Sequence, residues 1–345
     1  MISISFFIFT PMKKNSYLFV LNLFLISTSL NAQSAKELQE TAKSFIQQAD
    51  YANALLVLNR AVQLAPKDLD ILKDLSLTYY LQKDFTKSLE IIKPVTERDD
   101  ADDQSFQLAG NAYLQLEQFK ECEKLFRKGI KKFPESGAMY NELGELLMAQ
   151  KDYSAIKYWE KGIEVDPSFS KNYYNASKYY FLTTDKIWTL LYGEIFINIE
   201  PQSSRTVEIK NMLLDGYKKL FAEAIITLPT SDKNNFTDAF ITSINKQSAV
   251  VAAGINVESL IMIRTRFILD WYQNYADKLP FKLFELHRQL LQGGMFEAYN
   301  QWIFGSSQNL AAYQNWTAVH TVEYNEFTRF QQSRLFKIPA GQYYR

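Results

Sequence analysis

Four prolines, Pro66, Pro134, Pro167 and Pro201, fall 68, 33 and 34 residues apart, the beat of a 34-residue unit with one proline missing and one residue deleted. A fixed period in this range describes stacked supersecondary units. Each unit is too small to bury its apolar face alone, so it buries that face against its neighbours instead of in one central core. The first half of the chain is therefore constrained to a solenoid before any helix is assigned.

Laid on the residues, the period gives an alternation of small and large side chains. A first unit, Ala35 to Asp68, carries Leu38, Ala42, Phe45, Ala54, Leu58, Ala61 and Pro66. The second offers Leu72, Leu75, Ser76, Tyr79, Ser88, Ile92 and Val95, with Asp100 where the proline belongs. The third reads Phe106, Ala109, Gly110, Tyr113, Cys122, Phe126, Gly129 and Pro134. The fourth reads Tyr140, Leu143, Gly144, Leu147, Ala155, Trp159, Gly162 and Pro167, one residue being lost in the turn around Asp152 and Tyr153. Small residues let helix A of a unit lie close to helix B, and aromatic ones fill the space between neighbours. Polar residues followed by an aromatic, as in Lys83-Asp84-Phe85 and Glu117-Gln118-Phe119, mark the corner between the two helices. The residue before each proline is pushed out of the helical region and ends helix B.

This pattern resembles the tetratricopeptide repeat family over residues 35–201. The resemblance implies an all-α solenoid of about five helix-turn-helix units. The fifth, Ser170 to Pro201, begins well with Tyr173, Ala176, Ser177 and Tyr180. Its second helix then places Thr189, Gly193 and Phe196 against the pattern, and its apolar residues Trp188, Leu191, Ile195 and Phe196 predict docking onto the C-terminal segment instead of onto a sixth repeat.

Ahead of the repeats, Lys13 and Lys14 precede an apolar stretch from Tyr17 to Leu30, and Asn31-Ala32-Gln33 offers a small residue for cleavage. This reads as a secretory signal peptide over residues 1–32, with Met12 as an alternative start and an uncleaved anchor as the alternative reading. The Ala-Gln junction resembles exported proteins of some Gram-negative bacteria, so the expected location is periplasmic or secreted, with no membrane span in the mature chain. Lysine plus arginine number 38 and aspartate plus glutamate 38. A balanced charge argues against a nucleic-acid surface, which needs a basic footprint. The single Cys122 excludes an internal disulfide and sits at a small-residue repeat position, where a buried thiol is expected.

From Gln202 to Arg345 no period is found, and this segment reads as a separate helical C-terminal domain. Expected helices run from Ser203 to Leu228, Phe236 to Ala253, Val257 to Asp277, Pro280 to Gly293-Gly294, Met295 to Phe304, Ser306 or Ser307 through Trp316 to His320, and Val322 to Leu335. His287 and His320 stand on different segments without the i, i+4 spacing of a metal site. No nucleophile elbow, phosphate loop or dinucleotide fingerprint occurs, so no catalytic residue, metal or cofactor is expected. Arg264, Arg266, Asp270, Glu285, His287 and Glu297 read as surface charges over an aromatic core. The alternative is a polar pocket with Trp271 and Trp302, serving a small-molecule or glycan-binding unit or an enzyme without a recognisable motif.

The repeat resemblance implies a non-enzymatic scaffold that binds a protein or peptide on the concave face, through helix A residues. By register these include Lys73, Leu77 and Tyr80 in the second unit, Gln107 and Asn111 in the third, Asn141 in the fourth, and Lys171, Tyr174 and Lys178 in the fifth. Tyr79 is expected to point into the stack beside Tyr80. Asn111, Lys171 and Lys178 partly meet the pattern by which family members clamp a terminal carboxylate, whereas Gln107 and Glu142 depart from it. Each of these residues also reads simply as solvated helix face.

Overall fold

The computed structural model describes residues 34–222, 226–227, 234–252 and 254–345; the leader and its Ala32-Gln33 junction lie outside the described residues. All regular structure among them is helical. The chain divides into two compact units, with the boundary between Ala101 and Asp102.

The first unit holds α1 (Ala35–Gln47), α2 (Tyr51–Leu64), α3 (Leu69–Leu81) and α4 (Phe85–Ile92). Ser34 caps α1 reciprocally with Glu37, and Asp50, Asp68 and Asp84 cap the others, each carboxylate accepting from a first-turn amide. Leu38, Ala42, Leu58, Ala61, Ile71 and Leu75 form the core, with Tyr79 packed against it. Pro94 stops α4 after eight residues and leads into a 3₁₀ turn, Val95–Glu97. The unit that lacks the period's proline is thus the one whose second helix is cut short, and the division between compact units follows it.

The second unit opens with three more pairs: α5 (Asp103–Gln115) with α6 (Phe119–Lys132), α7 (Gly137–Ala149) with α8 (Ala155–Val165), and α9 (Ser170–Phe181) with α10 (Lys186–Ile199). A Cβ on Gly110 would lie 2.2 Å from the Phe126 ring, and one on Gly144 2.3 Å from Trp159, so the absence of a side chain sets the helix spacing at both places.

The most regular feature of the array is the backbone conformation at the corner that the polar-aromatic pairs mark in the sequence. Ala49, Lys83, Glu117 and Lys151, spaced 34 residues apart, all adopt φ between +56° and +66°. In each case the following residue closes helix A: Asp50, Asp84, Gln118 and Asp152 donate their amides at 2.9 Å to the carbonyls of Phe45, Tyr79, Tyr113 and Leu147. A left-handed residue with a side chain costs about 1 kcal/mol, offset here by capped helix-end carbonyls. The deleted residue of the fourth pair falls between Lys151 and Ala155, after this corner.

α11 (Ser204–Leu220) follows Pro201 by the same three residues that separate α7 from Pro134 and α9 from Pro167. The helical phase therefore outlasts the readable period by one helix. Ile187 to Ile197 of α10 are buried without a gap, as in a helix enclosed on all sides. The ring of Tyr192 on α10 meets Tyr173 on α9, and Gly193 admits Ile209 and Leu213 of α11.

The remaining helices are α12 (Asn235–Asn245), α13 (Ser248–Val251), α14 (Val257–Asn274), α15 (Lys282–Gln292), α16 (Phe296–Asn300), α17 (Ser306–Gln308), α18 (Leu310–Val319) and α19 (Thr321–Gln332). Several depart from expectation. α11 ends at Leu220, and the expected end at Leu228 lies outside the described residues. The helix expected from Phe236 to Ala253 breaks after Asn245, whose side chain turns back to bond both backbone groups of Ile226; Ala253 itself lies outside the described residues. α14 ends at Asn274. Gln301–Gly305 form a π turn between α16 and α17, and α18 is capped by Asn309, not Ser306 or Ser307. Residues 333–345 form a segment without regular structure, with a turn at Ala340-Gly341, that buries Phe336 and Ile338 and stacks Tyr344 on Phe236 at 4.5 Å.

Candidate functional site

Within each compact unit, helix A side chains of successive repeats meet across about one period, so polar residues of like register can bond to one another. In the first compact unit Gln39 donates to Asp74 Oδ2 at 2.6 Å, and burial raises the Asp74 carboxyl above the usual range. Lys73 pairs with Asp70 at 3.0 Å, Leu77 is half-buried, and the Tyr80 ring leans on Phe85 at 5.2 Å.

In the second compact unit these contacts form a ladder. Gln107 donates to Glu142 Oε1 at 3.1 Å; burial and the neighbouring Glu145 raise the Glu142 carboxyl. Asn141 is 0% exposed, its carbonyl accepting from Asn175 and its amide donating to Glu145. The structure thus places Asn141 inside the wall rather than on its face. Tyr174 donates to Glu208 at 2.6 Å, and Lys178 pairs with Glu208 at 2.7 Å while lying over the Tyr174 ring. Glu208 belongs to α11, so the ladder continues onto the helix beyond the last proline. Asn175 and Glu208 are residues that the sequence reading missed, although each stands 34 positions after a ladder partner, Asn141 and Tyr174.

Two positions differ. Asn111 and Lys171 are half-buried, and among the described residues neither side chain makes a hydrogen bond or ion pair; Lys171 acts on Glu142 only through its charge. Gln107, Asn141, Tyr174 and Lys178 build the wall, while Asn111 and Lys171 keep their polar groups available.

The second concentration of polar chemistry lies among the aromatic side chains of α10 and α14 to α16. Arg264 and His287, each 3% exposed, are not surface charges; they converge on Glu194, also 3% exposed. Glu194 Oε1 accepts from the Arg264 guanidinium, from His287 Nε2 at 2.7 Å and from Tyr299 Oη at 2.8 Å. Arg264 Nη1 donates to Asn300 at 2.5 Å, and its guanidinium lies over the rings of Phe296, Tyr299 and Phe304. The other expected members are elsewhere: Asp270 pairs with Lys246, Glu285 with Lys282, Glu297 accepts from Trp316, and Arg266 is exposed. Glu194 was invisible to a charge-cluster search because it stands alone in the apolar run from Trp188 to Ile199. Burial alone would raise its carboxyl, but Arg264, then His287 and Tyr299, hold it at about 2. Burial lowers His287 despite Glu194, so its ring is neutral at pH 7. With its charges paired and nearly closed to solvent, the cluster is suited to holding α10, α14, α15 and α16 together rather than to turnover.

An open cleft of about 240 Å³ lies over the π turn, lined by Gln301, Gln308, Asn309, Asn315, Trp316 and His320 among others. His320 stacks on Trp316 at 4.4 Å. Cys122 is fully buried and its thiol is pushed up to about 12 by burial, which leaves it unreactive. Among the described residues no group of histidine, cysteine or carboxylate side chains could hold a metal ion, and no helix is long and apolar enough to cross a membrane.

Comparison with known proteins gives two family matches. A model described as anaphase-promoting complex, cyclosome, subunit 3 matches residues 23–129, and a tetratricopeptide-repeat model matches residues 108–155. Similar solved structures include a thermophilic repeat protein of Thermus thermophilus, at 13% identity over 52% of this chain and 100% of that one, TM-score 0.44. Another is a repeat protein of Parabacteroides merdae, at 14% identity over 76% of this chain and 100% of that one, TM-score 0.41. A search of curated proteins gives no match.

The buried cluster makes a definite pH prediction. Glu194 has its folded value below the usual carboxylate value of about 4.3, so its stabilisation is full above that pH and is lost as pH falls through about 2. His287 is held below its usual value of about 6.5, so it too favours the folded state above that pH and ceases to do so as acid is added. Stability measured by urea unfolding should therefore decline from about pH 6.5 downward, and His287→Gln should flatten the upper part of that decline. Glu194→Gln, which leaves Arg264 buried without an anion, should cost about 3–5 kcal/mol at pH 7.

Proposed function

This chain is a tetratricopeptide-repeat protein, and we propose that it acts without catalysis as a scaffold or adaptor, binding a protein or peptide segment on the helix A face of its repeats. Proteins of this family mediate protein–protein contact. The observation that carries the reading here is the ladder of the second compact unit: it fixes the helix A wall by internal bonds while, among the described residues, the side chains of Asn111 and Lys171 have no hydrogen-bond partner. A wall held by its own bonds presents these two side chains from fixed backbone positions, so binding a segment there orders little besides the two side chains themselves. The cleft over the π turn, with its amide side chains, supports a second reading in which the C-terminal helices bind a small neutral ligand.

The direct test is affinity capture from the source cells with the wild-type chain and with Asn111→Ala/Lys171→Ala. The reading expects one stoichiometric protein partner with the wild type, at least tenfold less with the variant, and a melting temperature nearly unchanged, because neither residue supports the fold. Undiminished capture by the variant would move the binding site away from this wall.

We also propose that the protein is exported and works in the periplasm or outside the cell, on the strength of Lys13, Lys14, the apolar run and Ala32-Gln33. Mass spectrometry of the exported protein should find Gln33, or its cyclised form, at the N-terminus. A membrane-held species that begins at Met1 or Met12 would contradict this.

A further inference from the structure

The segment after α19 places a guanidinium in a site built by the repeats. Arg345 Nε donates to Tyr180 Oη at 2.9 Å and lies 3.3 Å from Glu160 Oε1, and Nη1 lies 3.8 Å from Asp185 Oδ2. Its guanidinium carbon sits 5.3 Å from the centre of the Tyr180 ring. Tyr180 in turn donates to Glu160 Oε1 at 2.5 Å, which fixes both walls. The two carboxylates come from different elements, Glu160 from α8 and Asp185 from the turn before α10, and their side chains are only 15% and 4% exposed.

Carboxylates withdrawn from water to this degree need a cation, and the shape of this place suits one cation in particular. A planar group can offer one edge to Glu160 and Tyr180, a second to Asp185, and a face to the Tyr180 ring. An ammonium can donate to more than one of these oxygens, but it has neither a flat face to lay on the ring nor the fixed, spread donors of the planar fork. We propose that Glu160, Tyr180 and Asp185 form a socket for an alkylguanidinium, which in this chain is filled by its own Arg345. The segment that delivers it is tied down along its length: Gln342 accepts from the Lys282 amide at 2.6 Å and Tyr344 donates to the Pro280 carbonyl at 2.5 Å. The ligand class is an arginine side chain, and an arginine supplied from outside reaches the socket only when Arg345 leaves it.

Chemical rescue in the full-length chain tests this. Arg345→Ala should lower the melting temperature by several degrees. Millimolar agmatine, an alkylguanidinium, should restore at least half of that loss with saturation, while leaving the wild-type melting temperature unchanged. Butylamine at equal ionic strength should restore little, and agmatine should fail in Arg345→Ala/Glu160→Gln. If Arg345→Ala does not fold alone, refolding in agmatine should recover it. Equal rescue by butylamine, absence of rescue, or a melting temperature insensitive to Arg345→Ala would each overturn the socket.

Discussion

Much of the second compact unit depends on one carboxylate in an apolar helix. Glu194 stands in the middle of α10, where burial would ordinarily exclude a charge, and it is tolerated because Arg264, His287 and Tyr299 converge on one of its oxygens. The balance is one-sided. A buried pair adds little net stability over a well-packed apolar alternative, but the removal of one partner is severe. Its effect is to specify which faces meet: α14, α15 and α16 can pack on α10 in many apolar registers, and only one brings these donors to Glu194.

That constraint explains why the repeat array does not end in water. In a solenoid the last helix B exposes a face that the next unit would cover. Here α10 is covered by α11 and by the helices that supply Arg264 and His287, and the ladder of helix A residues runs on through Glu208. α11 keeps the spacing of a sixth helix A without the small residues of the pattern, so it takes its place by position while its packing belongs to the C-terminal helices. Arg345 closes the arrangement from the other direction by reaching back to Glu160 and Asp185.

The sequence made the helical pairs legible because small and large residues must alternate for helices to stack, and Gly110, Gly144, Phe126 and Trp159 meet as that alternation requires. It did not reveal the left-handed corners, since Ala49, Lys83, Glu117 and Lys151 share a backbone conformation and no residue type. The helix A positions were readable from register, but not which of them bond to one another: Asn141 reads as a contact residue and is a buried strut. Glu194 was hidden for a different reason. A lone charge in an apolar run has no local partner, and its partners lie 70 and 93 residues away. The same holds for Arg345, whose socket lies in the fourth and fifth repeats.

Native-state hydrogen exchange on the full chain tests most directly whether α10 ties the last repeats to the C-terminal helices. If α10 joins the last repeats and the C-terminal helices into one cooperative body, amides of α9, α10, α14 and α15 should exchange only through a common opening, with the same dependence on denaturant. Exchange of α14 and α15 at a distinctly lower opening free energy, while α9 and α10 remain protected, would contradict it.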